Sequence, residues 1–261
     1  MDSKDLEGKI ALVTGGTSGI GYRIAERLAQ HGAVVTITGR SAERGEAALA
    51  ELRKICPQAG FVAGNCREYD VCKRAVEAAA RESGKLDLLV SAGAEGPFGP
   101  TPFHAFTPEQ IVASYQDRFL PRVFPIHAAL PALKASGEAA VLLVTTDAGR
   151  HATPGESIIG AVGASMIMLT KVLAREFAEW KIRVNGIALT LTSDTPSWDR
   201  IFAKQSFENN LFSKALSRFP AGRAPTALET AQVAHFLLSP LSSQVTGQTL
   251  SVNGGLSFAG W

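Results

Sequence analysis

Residues 10–21 read IALVTGGTSGIG, and the reading of this stretch decides the fold. Ile10, Ala11, Leu12 and Val13 form an apolar run of strand length. Gly15, Gly16, Gly19 and Gly21 interrupt it, and from Ile20 a helical pattern places Ile24, Ala25, Leu28 and Ala29 on one face. Glycines permit a tight turn and let the backbone approach a pyrophosphate, which then rests on exposed N–H groups at the helix N-terminus. A glycine pattern alone is weak. Here a strand precedes it, an amphipathic helix follows, and a second apolar run lies at 33–38 (AVVTIT). Gly15, Thr17, Ser18, Gly19, Ile20 and Gly21 are therefore candidate contacts for a dinucleotide.

Strand-length apolar runs recur at 60–63, 86–90, 140–144, 182–187 and 248–252. Helical stretches occupy 42–54 and 69–83, and Thr107-Pro108-Glu109 marks a helix start with proline in the first turn. Near-continuous apolar strands alternating with helices predict an α/β fold: a doubly wound parallel sheet of about seven strands, in three α/β/α layers. No repeat or linker divides the 261 residues, so one domain spanning 1–261 is expected. Its single long insertion is 191–223, where Trp198, Phe202, Phe207 and Phe212 suit either an apolar or aromatic ligand or a helix packed on the domain.

Hydrophobic residues make up 46% and charged residues 19%, a balance that excludes a disordered chain. Net charge is +2 with no polybasic run, which argues against nucleic acid or an anionic membrane as partner. Cys56, Cys66 and Cys72 lack the spacing of a disulfide framework or a metal site, so free thiols and no metal centre are expected. Residues 1–9 are charged, and no apolar run long enough to span a membrane is free of charge and glycine; a cytoplasmic location is the expectation.

Arg40-Ser41 follows the second strand, where an NAD site usually carries an acid for the ribose 2′-hydroxyl. Guanidinium pairs with phosphate through two hydrogen bonds, so Arg40, with Ser41 beside it, favours NADP(H) over NAD(H).

Over nearly its whole length the chain resembles the short-chain dehydrogenase/reductase family. The matching pieces are the TGGTSGIG turn, the LDLLV strand at 86–90, the strand ending in Thr145-Thr146, the LTKVLAREFA helix, Ile182-Arg183-Val184-Asn185, and VTGQTLSVNGG near the C-terminus. The resemblance implies a Rossmann fold, a nicotinamide cofactor, a small-molecule substrate, a homodimer or homotetramer, and a substrate lid at 191–223. It also implies cofactor contacts at Asn65, Cys66, Ser91, Gly93, Leu189 and Thr190. At three of these places the chain departs from the family's pattern, reading Asn65-Cys66, Ser91-Ala92-Gly93-Ala94 and Leu189-Thr190.

Enzymes of this family use an asparagine, a serine, and a tyrosine and lysine spaced YxxxK. Carried over residue by residue, the four positions are Arg118, Thr146, Ile159 and Gly163. Ile159 cannot transfer a proton, so the family's usual route is excluded. Thr146 keeps a hydroxyl that can polarise a carbonyl. Arg118 offers a cation that could fill space vacated at Gly163. Asp147, next to Thr146, is a candidate acid or base if desolvated, or a turn residue capping its own backbone. His151 and Asp194 flank the expected substrate mouth. Pro121 and Pro125 fall inside the helix that normally builds a subunit interface, where each would kink it or remove a backbone bond.

The reading that follows is an atypical NADP(H)-dependent oxidoreductase acting on a small carbonyl, alcohol or activated alkene. Two alternatives stand beside it: a catalytically silent NADP(H)-binding protein, and a lyase, isomerase or cyclase on the same scaffold.

Overall fold

A computed structural model describes residues 4–93 and 98–258. Seven parallel strands form one sheet in the order β3-β2-β1-β4-β5-β6-β7. They are β1 (Ile10–Thr14), β2 (Val34–Gly39), β3 (Gly60–Ala63), β4 (Leu88–Ser91), β5 (Ala139–Thr146), β6 (Ile182–Leu189) and β7 (Thr249–Val252). The helices are α1 (Gly19–Gln30), α2 (Ala42–Arg53), α3 (Tyr69–Ala80), α4 (Pro108–Ser136), α5 (Ser157–Glu176), α6 (Pro196–Phe202), α7 (Phe207–Leu216) and α8 (Ala227–Leu238). The doubly wound Rossmann arrangement expected from the alternating pattern is therefore present. The strand order reverses between β1 and β4, and the carboxyl ends of these strands open the crevice where such sheets bind ligands.

Each face of the sheet carries its own apolar layer. Ile24, Ala25 and Leu28 of α1 pack with Val13, Val35 and Ala234 on one side. On the other, Ile126 and Leu133 of α4 and Val162 and Met166 of α5 pack with Leu12, Val141 and Val184. By length and composition α5 could cross a membrane, with a mean hydropathy of 1.8 over its most apolar window. In this fold it covers the sheet, burying Val162, Met166, Thr170 and Ala174.

α4 does not end at Pro121 or Pro125 but runs 29 residues, opened by a Thr107/Gln110 capping box and closed by Gly137. Pro121 and Pro125 remove the backbone donors to the Asp117 and Pro121 carbonyls, and side-chain donors brace the carbonyls of the next residues. Arg122 Nη1 donates to the Arg118 carbonyl at 2.7 Å, and Ser91 Oγ to the Arg122 carbonyl at 2.8 Å. The 191–223 segment folds as α6 and α7 around Leu191, Ile201, Phe219 and Ala224, with Trp198 and Phe202 rings 4.5 Å apart.

At the opposite end of the sheet, the Asp5 carboxylate bridges His31 Nδ1 at 2.7 Å and His235 Nε2 at 3.1 Å. Burial pushes the Asp5 carboxyl up, but its bonds to His235 and His31 outweigh this and hold it below 3.8. Burial holds the His235 imidazole below 6.5, against the pull of Asp5. Both groups thus bind a proton less readily folded than unfolded. The His235 contribution is complete above pH 6.5 and is lost as pH falls through its folded value; that of Asp5 follows at lower pH. Thermal unfolding followed against pH should show the wild type losing its stability margin over His235→Gln below pH 6.5.

Candidate functional site

A cleft of about 600 Å³ opens at the carboxyl ends of the strands, running from the glycine turn to the α6–α7 lid. At one end lie Gly15, Thr17, Ser18, Gly19, Ile20 and Gly21, the residues that the sequence offers as dinucleotide contacts. Gly15 has φ +68°, and a Cβ there would stand 2.4 Å from Gly93 Cα, so the β1 turn and the loop after β4 touch backbone to backbone. Ser18, at the N-cap of α1, makes no side-chain cap bond, and the first turn of that helix holds no acid. Its N–H groups and positive end thus face the cleft uncompensated, the condition that suits a phosphate.

Arg40 lines the cleft beyond this turn, and Arg44, from the first turn of α2, lines it as well. Ser41 does not line it; its hydroxyl caps α2, accepting from Arg44 N–H at 3.3 Å. Asn65 and Cys66 are in the wall, with the Cys66 thiol 3.4 Å from Thr38 Oγ1. Gly93, Leu189 and Thr190 are also placed there. Ser91 is not: its hydroxyl is buried and fixes α4 through the Arg122 carbonyl. Ala94 lies outside the described residues. Thr192, which the sequence reading missed, lines the cleft with a buried Oγ1 that has no hydrogen-bond partner among the described residues. An orphaned hydroxyl in the wall, a cradle that excludes a Cβ and two cations past the helix end together fit a phosphorylated nicotinamide dinucleotide.

At the other end Thr146 closes β5. Its Oγ1 accepts from Ala148 N–H at 3.2 Å, which leaves its own proton to be donated into the cleft. Arg118 is buried and reaches the cleft, donating through Nη1 to Ser114 Oγ at 2.7 Å and through Nη2 to the Phe98 carbonyl. One turn later Arg122 also lines the cleft, with Nε on the Val144 carbonyl at 2.8 Å; burial and the neighbouring Arg118 charge bring it down to about 10. Ile159 and Gly163 both face this space.

Asp147 does not join them. Its carboxylate accepts from Ser251 Oγ at 2.6 Å and Asn253 Nδ2 at 2.7 Å, away from the cleft. It is neither a free acid nor a cap on its own turn, but the tie between the end of β5 and β7. The space at Gly163 is likewise not vacant. A Cβ there would stand 2.7 Å from Thr146 Cγ2 and 3.0 Å from Gly149 N, because α5 closes directly onto the 147–149 turn. Arg118 therefore reaches the cleft from α4 without filling a hole in α5. His151 and Asp194 stay outside the cleft lining. Of the four lid aromatics, Trp198 and Phe212 line it, whereas Phe202 packs within the lid and Phe207 against Gly155.

Glu156, at the N-cap of α5, is a cleft residue that sequence reasoning overlooked. Burial pushes its carboxyl up to about 7, opposed by the Thr153 hydrogen bond and the Arg118 charge and aided by Glu208. Its position one turn before Ile159 was visible in the sequence, but nothing there shows that the fold half-buries it.

The family model for enoyl-(acyl carrier protein) reductases matches residues 15–257. A tropinone reductase homolog of Arabidopsis thaliana is 34% identical over 270 residues, spanning 100% of this chain and 83% of the relative. A 3-oxoacyl-[acyl-carrier-protein] reductase of Chlamydia muridarum is 31% identical, spanning 97% of this chain and 98% of its own. Among solved structures, an NADPH-bound short chain oxidoreductase of Pseudomonas aeruginosa, described as containing an atypical catalytic center, superposes with a TM-score of 0.88. It is 30% identical and covers 97% of this chain and 98% of its own. The chain belongs to the short-chain dehydrogenase/reductase family of oxidoreductases, whose members bind a nicotinamide cofactor.

Proposed function

We propose that this protein is an NADP(H)-dependent oxidoreductase that reduces a small carbonyl compound, or oxidises the corresponding alcohol, without the family's tyrosine and lysine. The observation that carries the reading is the continuity of the cleft. One space joins the glycine turn, with Arg40 and Arg44 at its edge, to Thr146, whose hydroxyl donates to no acceptor among the described residues. Bound there, the dinucleotide would supply the hydride. Gly15 to Gly21 would hold the pyrophosphate, Arg40 and Arg44 the 2′-phosphate, and Thr192 a polar group near the reacting end. Thr146 would polarise the substrate oxygen, while Trp198 and Phe212 cover it and exclude water. The NADPH-bound relative with an atypical catalytic center supports both halves of this reading.

Titrating NADPH and NADH against the purified protein by fluorescence tests the cofactor. NADPH is expected to bind more tightly. Arg40→Ala should weaken NADPH by about 10–100-fold, the value of hydrogen bonds to a charged group, and leave NADH nearly unchanged. Equal loss for both cofactors would sink the 2′-phosphate assignment. Carbonyl-dependent NADPH oxidation that falls in Thr146→Ala tests the chemistry. Tight binding with no oxidation across a carbonyl panel would favour the silent binder, to which the closed Gly163 position lends support.

A further inference from the structure

Resting on the reductase reading above, we propose that Glu156 is the proton donor of this active site, in place of the absent tyrosine. Reduction of a carbonyl needs a proton for the oxygen as the carbon accepts hydride. Ile159 has none to give, and Thr146 can polarise an oxygen but is far too weak an acid to protonate it at neutral pH. Three carboxylates line the cleft among the described residues: Asp117, Glu156 and Glu208. Asp117 is paired with Arg67 at 2.6 Å, in the β3 half of the cleft. Glu208 sits on the lid, 4.0 Å from Arg200.

Glu156 is different in place and surroundings. It begins the helix that carries Ile159 and Gly163, and it shares the cleft wall with Thr146, Arg118 and Arg122. Its pocket is built from several elements. Thr101 N–H donates to the Gly155 carbonyl at 2.7 Å, the Phe207 ring packs over Gly155, and Gly99 packs against Glu208. The charged and hydrogen-bonding groups facing it are Arg118 from α4, Glu208 from α7 and Thr153 from the preceding loop. Burial and Glu208 favour the neutral acid; Arg118 and Thr153 favour the carboxylate that forms once the proton has gone. This is the balance a general acid needs, since either form must be reachable near neutral pH.

In the reducing direction, the Glu156 carboxyl proton passes to the substrate oxygen as the carbonyl carbon accepts a hydride from the reduced nicotinamide. The C=O π pair becomes the O–H bond, the products are alcohol and oxidised cofactor, and the Glu156 carboxylate regains a proton from solvent. In the oxidising direction the same carboxylate takes the alcohol proton.

The decisive experiment pairs turnover with a direct titration of the cofactor-free protein. Infrared difference spectra across pH should show a protonated-carboxyl band titrating near 7 in the wild type and missing in Glu156→Gln. Glu156→Gln should bind NADPH as the wild type does but reduce carbonyls about 10²–10⁴-fold more slowly. Wild-type reduction should decline as pH rises through about 7, and the variant should lack that limb. Unchanged turnover and pH profile in the variant, or a wild type that reduces carbonyls without the band, overturns the donor assignment alone. A wild type that shows the band and binds NADPH but reduces nothing overturns the reductase reading, and the donor role with it.

Discussion

Gly15→Ala should cost the protein its dinucleotide site while most of the sheet stays folded. Gly15 sits at φ +68°, a conformation that costs an L-residue about 1–2 kcal/mol, and the new Cβ would stand 2.4 Å from Gly93 Cα and 2.8 Å from Gly93 N. These are backbone atoms and cannot rotate aside. The overlap is relieved only if the turn after β1 lifts from the loop after β4, and that lift moves the N–H groups that line the cleft. Strain and overpacking together are worth roughly 3 kcal/mol, or about 100-fold in affinity. Fluorescence titration should therefore show NADPH binding weakened by about two orders of magnitude. Circular dichroism should show helix content retained, with unfolding lowered by several degrees. Wild-type affinity in this variant would mean that the turn does not form the cradle.

The second expected result is a failed repair. Restoring the family pair as Ile159→Tyr/Gly163→Lys should leave carbonyl reduction no faster than in the parent. Ile159 lines the cleft, so tyrosine has room there. Gly163 has none. A side chain at 163 meets Thr146 Cγ2 and the Gly149 backbone at 2.7–3.1 Å, and Gly149 cannot withdraw easily because Asp147 anchors its turn to Ser251 and Asn253. Overpacking of this kind costs about 1–3 kcal/mol, against at most about 1 kcal/mol gained from replacing a helical glycine. Gly163→Lys alone should thus unfold several degrees lower, and it should push Thr146 out of register with the cleft. A double variant that is both stable and faster would show that α5 can back away from the 147–149 turn.

These two outcomes rest on different levels of information. The glycine turn was legible in the chain because its determinants are local: strand, turn and helix lie within residues 10–30, and backbone stereochemistry and hydrophobic period act over that distance. The same holds for the helix start at Thr107-Pro108-Glu109 and for the place of Arg40 just after β2. The chemistry end was read less well. Asp147 and Ser91 looked like site residues from their neighbours in sequence, yet each spends its polar atoms on partners far along the chain: Ser251 and Asn253 for Asp147, Arg122 for Ser91. Ser41 stays out of the cleft lining, and its hydroxyl caps the first turn of its own helix.

By itself, then, the sequence determined that a doubly wound sheet would form and that a glycine turn would join its first strand to its first helix. Hydrophobic period and backbone stereochemistry are short-range properties, and the order of residues encodes them directly. Only the tertiary structure decided what surrounds Ile159 and Gly163. It closed Gly163 against Gly149, brought Arg118 and Arg122 from α4 to the cleft that Thr146 lines, and set Glu156 in the same cleft wall, under the charges of Arg118 and Glu208. Burial turns an ordinary glutamate into a candidate acid, and burial is a property of the packed chain, not of any segment in it.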